Sequence, residues 1–186
     1  MRASVPYYLS GNLSFPGSQA RDWTKPMILI ALGSNLPSPA GPPRETLVQA
    51  LAALDEAGVR VEICSEFYLT APVPPSGQPD YVNAVARVAT DRPPEALLTL
   101  LHAIEARFDR ERTALNAART LDLDLLDYHG RCQEGPPCLP HPRLAERAFV
   151  LVPLADIAPT WIHPHLQRDV HQLLAALPPG QDIRPA

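Results

Sequence analysis

The stretch Arg119-Thr120-Leu121-Asp122-Leu123-Asp124-Leu125-Leu126-Asp127-Tyr128 constrains this chain more than any other. Leucine recurs at 121, 123 and 125, the period of a strand with one face in a core. That period puts Asp122 and Asp124 on one face with Thr120, Leu126 and Tyr128. It sends Leu121, Leu123, Leu125 and Asp127 to the other. Two carboxylates side by side at the edge of a core repel each other and lose hydration, a cost of several kcal/mol that positive charge must offset. A divalent cation is one solution; an open strand face with two solvated acids is the other.

The rest of the chain supplies partners for such a strand. Residues 28–32 form a short apolar run entering Gly33-Ser34-Asn35, which predicts a buried strand and a turn. Leu47, Leu51 and Leu54 recur at helical spacing, so 44–57 is predicted as a helix stopped by Gly58. Alternation from Val59 onward predicts one long strand over 59–70. A third strand over 81–89, antiparallel to it, has Val82, Ala84, Ala86 and Val88 on one face and Tyr81, Asn83, Val85 and Arg87 on the other. A helix with Leu97, Leu101, Ile104 and Phe108 buried is predicted to end near Arg110, with Asp91 as cap and Pro93 and Pro94 in its first turn. The order is βαββαβ, an α+β, ferredoxin-like core with a mostly antiparallel sheet. Extra C-terminal helices are predicted over 144–157, where Pro153 should end or kink the helix, and over 169–177.

Residues 1–26 show no sustained periodicity and no apolar run after Arg2, so they read as a flexible leader without a secretory signal, with Met27 as a possible biological start and 27–186 as the domain. With 46% apolar residues the chain can build a core, and a net charge of -4 gives no reason to expect nucleic acid or an anionic membrane as partner. Three cysteines without a secretory leader fit a reducing cytoplasm, and no apolar run reaches the ~18 residues of a spanning helix.

Arg107, Arg110, Arg112 and Arg119 cluster ahead of the acids. Guanidinium forks bind phosphate oxygens, and two carboxylates suit a metal that bridges them. A soluble helix end, with Glu105, Asp109 and Glu111 pairing locally, accounts for the same residues. His129, Cys132, Cys138 and His141 form a His-x-x-Cys and Cys-x-x-His set that a zinc ion could close, although Pro136 and Pro137 stiffen the spacer. The sole lysine is Lys25, so a Walker-type phosphate loop is excluded.

The strings Ala31-Leu32-Gly33-Ser34-Asn35-Leu36, Phe67-Tyr68-Leu69-Thr70-Ala71-Pro72, Gln78-Pro79-Asp80-Tyr81-Val82-Asn83, Arg119-Thr120-Leu121-Asp122-Leu123-Asp124 and Pro140-His141-Pro142-Arg143, followed by Arg147-Ala148-Phe149, resemble in order and spacing the 6-hydroxymethyl-7,8-dihydropterin pyrophosphokinases of folate biosynthesis. The resemblance covers residues 27–159.

It implies transfer of diphosphate from the co-substrate ATP to the pterin, releasing AMP, with two Mg²⁺ on Asp122 and Asp124. It gives Arg110, Arg112 and Arg119 catalytic phosphate contacts and adds His102, Glu105, His141 and Arg147 to the ATP side. Tyr81 and Phe149 would sandwich the pterin, which Asn83 and the backbone near Thr70, Ala71 and Val73 would read. A cytoplasmic monomer with small-molecule partners is implied. The chain departs from the family in the segment between Glu105 and Arg119, which is one residue shorter than in some relatives. That segment has Leu115 for a usually basic residue and lacks a tryptophan between 113 and 118; His102 stands where a glutamine is common. The rival expectation is a non-catalytic ferredoxin-like module that binds pterin or zinc.

Overall fold

The computed structural model describes residues 26–73, 75–110 and 117–186. Arg112 and all but the last residue of the expected leader lie outside the described residues. The strand β1 (Ile28–Ser34) is apolar almost throughout, as a strand covered on both faces must be. It pairs with β4 (Tyr81–Ala89) on one side and β5 (Asp122–Tyr128) on the other. Along the far side of β4 lie β2 (Arg60–Cys64) and β3 (Tyr68–Thr70), and β6 (Ile183–Pro185) pairs with β3. All these pairings are antiparallel, and the βαββαβ core is as the sequence predicts.

Two apolar clusters sit on opposite faces of this sheet. On one, Leu47 and Leu51 of α1 (Pro43–Glu56) and Leu97 and Leu101 of α2 (Pro94–Arg107) meet Ile30, Leu32, Leu123 and Leu125. On the other, Leu151 and Leu154 of α3 (Ala148–Ile157) and Val170 of α4 (Val170–Ala175) meet Leu29, Val85, Leu126 and Trp161. Helix α1 stops where Gly58 takes φ +79, a conformation that costs glycine least. Asp91 does not cap α2. Pro93 precedes the helix in extended geometry and Pro94 opens it, so the first position has no N–H to satisfy. No helix among the described residues is long and apolar enough to cross a membrane.

Other expectations change as well. The long strand over 59–70 is interrupted at 65–67 because Ser65 replaces a main-chain partner with its side chain. Its N–H donates to Val85 O (2.9 Å), while Val85 N donates to Ser65 Oγ (3.1 Å). The pleat of β5 also skips. Leu29 faces Asp127 but Ile30 faces Leu125, so Leu126 is an extra residue, a bulge that breaks the two-residue period. Leu126 and Asp127 therefore both serve the α3 face, and Tyr128 crosses to the α1–α2 cluster. Pro153 lies inside α3, which runs on as a single helix to Ile157, while Leu144–Glu146 forms a separate 3₁₀ turn. The sequence pattern held no counterpart of β6.

The bulge sends Asp127 into the core, where it is 2% exposed. Trp161 Nε1 donates to Oδ2 (2.8 Å) and Gly130 N to Oδ1 (3.0 Å). Burial pushes this carboxyl up, and the two bonds work against that shift. Beside it, His163 is also buried and edge-on to Trp161; its Nδ1 accepts from the N–H groups of His165 (3.3 Å) and Leu166 (3.2 Å).

Burial, then neighbouring His165, hold the His163 pKa below its ordinary value. Below pH ~6.5 the unfolded chain protonates this position first, so stability is lost as pH falls through that value toward the folded pKa. The thermal midpoint is expected to drop between pH about 7.5 and about 5.5, and His163→Asn to flatten that slope, as followed by circular dichroism. Identical slopes would exclude His163 as the source.

Candidate active site

Only part of the α3 face of the sheet is covered by the apolar cluster. Toward one end of β1 that face carries Tyr81 and Asn83 of β4, Thr70 of β3, Gly33 of β1 and Asp122 and Asp124 of β5. Pairing places Gly33 between Asn83 and Asp122, and Ala31 between Val85 and Asp124. These small residues keep the floor of the site low. A Cβ on Gly33 would lie 3.0 Å from Asn83 Oδ1 and 3.9 Å from Asp122 Cβ.

Charge is concentrated on the β5 side. Asp122 Oδ1 accepts from Arg110 Nη1 and Oδ2 from Arg119 Nη1, both at 2.6 Å. Arg119 lies ahead of the strand, with a bend at Thr120, so the pleat does not dictate its direction. Arg110 also pairs with Glu105, whose Oε1 accepts Leu123 N (2.8 Å) and which is 2% exposed. Expected on the nucleotide side, Glu105 is turned inward as a brace between α2 and β5. His102 is exposed on α2, one turn earlier.

Burial and then the Asp122 charge raise the Asp124 pKa, against His141, Arg147 and Arg110. His141 is held by its N–H to Leu126 O (2.8 Å). Burial lowers its pKa although Asp124 pulls the other way. Arg147 precedes α3 and its guanidinium lies 5.2 Å from the Phe149 ring centroid. Burial, then Arg143, lower its pKa. The structure thus gathers Arg110, Arg119, His141 and Arg147 around the acid pair.

On the β4 side, Asn83 Nδ2 donates to Thr70 Oγ1 (2.8 Å), and both residues are buried. Oδ1 is thereby left on the Gly33 side as an acceptor. The half-buried Tyr81 shares its hydroxyl proton between Gln78 Oε1 (3.3 Å) and Ala117 O (3.4 Å). Phe149 opens α3, and Ala71 and Val73 are exposed in the loop after β3.

The zinc alternative finds no support in this arrangement. Among the described residues, no three His, Cys, Asp or Glu side chains are grouped to hold a metal ion. His129 packs edge-on against Tyr128, His141 faces the acid pair, and Cys132 and Cys138 are exposed and free. Sequence reasoning missed Gly33 and Asn35 as parts of the site. Their turn was visible, but the partners of the Asn35 side chain lie 43 to 84 positions away.

The model of the family described as 7,8-dihydro-6-hydroxymethylpterin-pyrophosphokinase (HPPK) matches residues 29–159. The chain belongs to the HPPK family. It is 40% identical over 148 residues to the 2-amino-4-hydroxy-6-hydroxymethyldihydropteridine pyrophosphokinase of Synechocystis, covering 78% of this chain and 73% of that one. It is 40% identical over 153 residues to the enzyme of the same name from Pseudomonas aeruginosa, covering 81% and 91%. Among solved structures it is similar in fold to an HPPK-DHPS in complex with substrates (TM-score 0.59, 11% identity, 82% of this chain and 43% of that one). Wild-type Plasmodium falciparum HPPK-DHPS gives a TM-score of 0.58 at 13% identity, over 81% and 41%. The chain thus spans less than half the length of those HPPK-DHPS chains.

The HPPK acid pair is electrostatically linked in a way that can be measured. Asp122→Asn removes one of the charges that raise Asp124, so the Asp124 carboxyl is expected to titrate at lower pH by ¹³C NMR. An unchanged or higher value would contradict the linkage.

Proposed function

We propose that this chain transfers the β,γ-diphosphate of ATP as a unit to the hydroxymethyl oxygen of 6-hydroxymethyl-7,8-dihydropterin. The hydroxyl oxygen bonds to the β-phosphorus, the bond from that phosphorus to the α,β-bridging oxygen breaks, AMP leaves, and the hydroxyl proton is lost. The observation that carries this reading is the joining of two half-sites on one sheet face: an acid pair ringed by arginines and, across Gly33, an aromatic and carboxamide pair.

Asp122 and Asp124 fit Mg²⁺. They are hard oxygen donors on one strand face, where burial and then the Asp122 charge raise the Asp124 pKa, a cost that a divalent cation offsets. Two carboxylates leave most of the coordination to water and phosphate oxygens, as Mg²⁺ prefers. We assign two ions there, which when bound neutralise triphosphate charge and polarise the transferred phosphorus.

The remaining work falls to side chains. Arg110 and Arg119 hold Asp122 and are placed to exchange it for phosphate oxygens, since both acceptors suit the guanidinium fork. His141 and Arg147 border the same charge. Tyr81 and Phe149 offer flat faces to the pterin, and Asn83 Oδ1, its amide fixed by Thr70, accepts from an N–H on the heterocycle's edge. Arg112 enters the reading on sequence alone. We further propose that the protein acts as a cytoplasmic monomer.

AMP release from ATP and the pterin tests the proposal. The wild type should release AMP, chelation by EDTA should abolish the release, and Mg²⁺ should restore it. Asp124→Asn should reduce it at least ~10²-fold. Full activity in the Asp122→Ala, Asp124→Ala double variant would refute the acid-pair mechanism. Gly33→Ala should weaken calorimetric pterin binding about tenfold, through displacement of Asn83 Oδ1, with a melting midpoint within a few degrees of wild type. Unchanged affinity would remove Asn83 from the reading.

A further inference from the structure

The turn that ends β1 has so far no task in the reaction, yet its Asn35 is only 2% exposed and both polar atoms of its side chain are engaged. Oδ1 accepts from Arg119 N (2.8 Å), and Nδ2 donates to Gln78 Oε1 and to Pro79 O (3.2 Å each). The backbone N–H groups of Asn35 and Leu36 both donate to Arg119 O, at 3.1 and 3.2 Å. One turn therefore grips Arg119 by its N–H and its carbonyl while its amide holds the loop that leads into β4.

The circuit closes on groups of both half-sites. Gln78 Oε1 also accepts from the Tyr81 hydroxyl, at 3.3 Å, and that hydroxyl lies 3.4 Å from Ala117 O. The same Ala117 carbonyl accepts from Arg119 Nε (3.1 Å), and Arg119 Nη1 reaches Asp122. Tyr81 belongs to the pterin side and Arg119 to the phosphate side.

We propose that Asn35 is a positioning residue that locks the loop before β4 to the segment before β5, and so fixes the Tyr81 ring and the Arg119 guanidinium at one spacing. The proposal rests on the pterin pyrophosphokinase reading above. Transfer between two bound substrates needs reacting atoms ~3–3.5 Å apart, and an error of about 1 Å costs on the order of 10²-fold in rate. A carboxamide suits this position because it must accept from an N–H on one side and donate to two oxygens on the other. Aspartate keeps the acceptor for Arg119 N but sets a carboxylate oxygen against Pro79 O, which has no proton to offer. Asn35→Asp therefore loses Pro79 O outright and keeps Gln78 only by turning its amide, which takes Oε1 away from the Tyr81 hydroxyl, while the Arg119 arm is spared.

The test uses the full chain and two readouts. The first is steady-state AMP release, in which Asn35→Asp is expected to lower kcat on the order of 10²-fold while the KM for ATP stays within about threefold. The second is the factor by which Mg²⁺ with α,β-methylene-ATP, whose carbon bridge blocks transfer, changes the Kd of 6-hydroxymethyl-7,8-dihydropterin. That factor exceeds one in the wild type if the halves are locked, and it collapses toward one in the variant. Gln78→Ala, which removes the Gln78 link between Asn35 and the Tyr81 hydroxyl from a half-exposed position, should move both readouts the same way and serves if Asn35→Asp does not fold. Wild-type kcat and coupling in either folded variant, or independent binding of the two ligands to the wild type, overturns the proposal. A wild type that binds both ligands and releases no AMP sinks the pyrophosphokinase reading and the proposal with it. Normal turnover in Asn35→Asp sinks the proposal alone.

Discussion

Two carboxylates on one sheet face limit what can cover that face. An apolar helix laid over Asp122 and Asp124 would strip their hydration without returning a partner, a cost that apolar packing could not offset. The α1–α2 face of the same sheet carries no such pair and is packed with leucine, isoleucine and valine. On the opposite face the apolar packing centres on Leu29, Val85 and Leu126, and α3 begins beside Arg147 and Phe149. The open end of the sheet is thus a consequence of its charge. The cations that gather there lower the cost of the acids, and in doing so they build a surface that suits polyphosphate.

The same electrostatic demand accounts for the inward turn of Glu105. Arg110 sits between two carboxylates, one buried at the α2–β5 junction and one facing the site. Because Glu105 also accepts the Leu123 N–H, the orientation of Arg110 is tied to the backbone of the strand that bears the acids. Loss of that brace would release a guanidinium and unsettle a strand together, so its effect belongs with residues that act as a unit and not with additive contacts.

Much of this was legible in the residues themselves. Alternation in β4 assigned Tyr81 and Asn83 to one face and Val82 and Ala84 to the other, as the structure has them, and leucine spacing marked the buried stripes of both core helices. The illegible parts share one cause. A bulge at Leu126, a hydroxyl of Ser65 standing in for a carbonyl and the grip of Asn35 on Arg119 are all settled by a partner distant in sequence. Local period cannot register an extra residue whose only signature is the strand opposite. Asp127 shows the result: the simple pleat sent it away from the α3 face, and the bulge brings it back as a core acceptor for Trp161.

The strand β6 carries a consequence of another kind. A long bare strand at the rim of a sheet is a template on which a second chain can pair. Here the β3 rim is covered by three residues that include Pro185 and the exposed Arg184, which pairs with Asp80. At the opposite rim, the segment containing His141 lays its N–H on Leu126 O of β5. Short, charged and irregular neighbours thus stand where a regular strand would recruit another. At these two rims the antiparallel sheet that supports the site offers no long bare strand for edge-to-edge pairing.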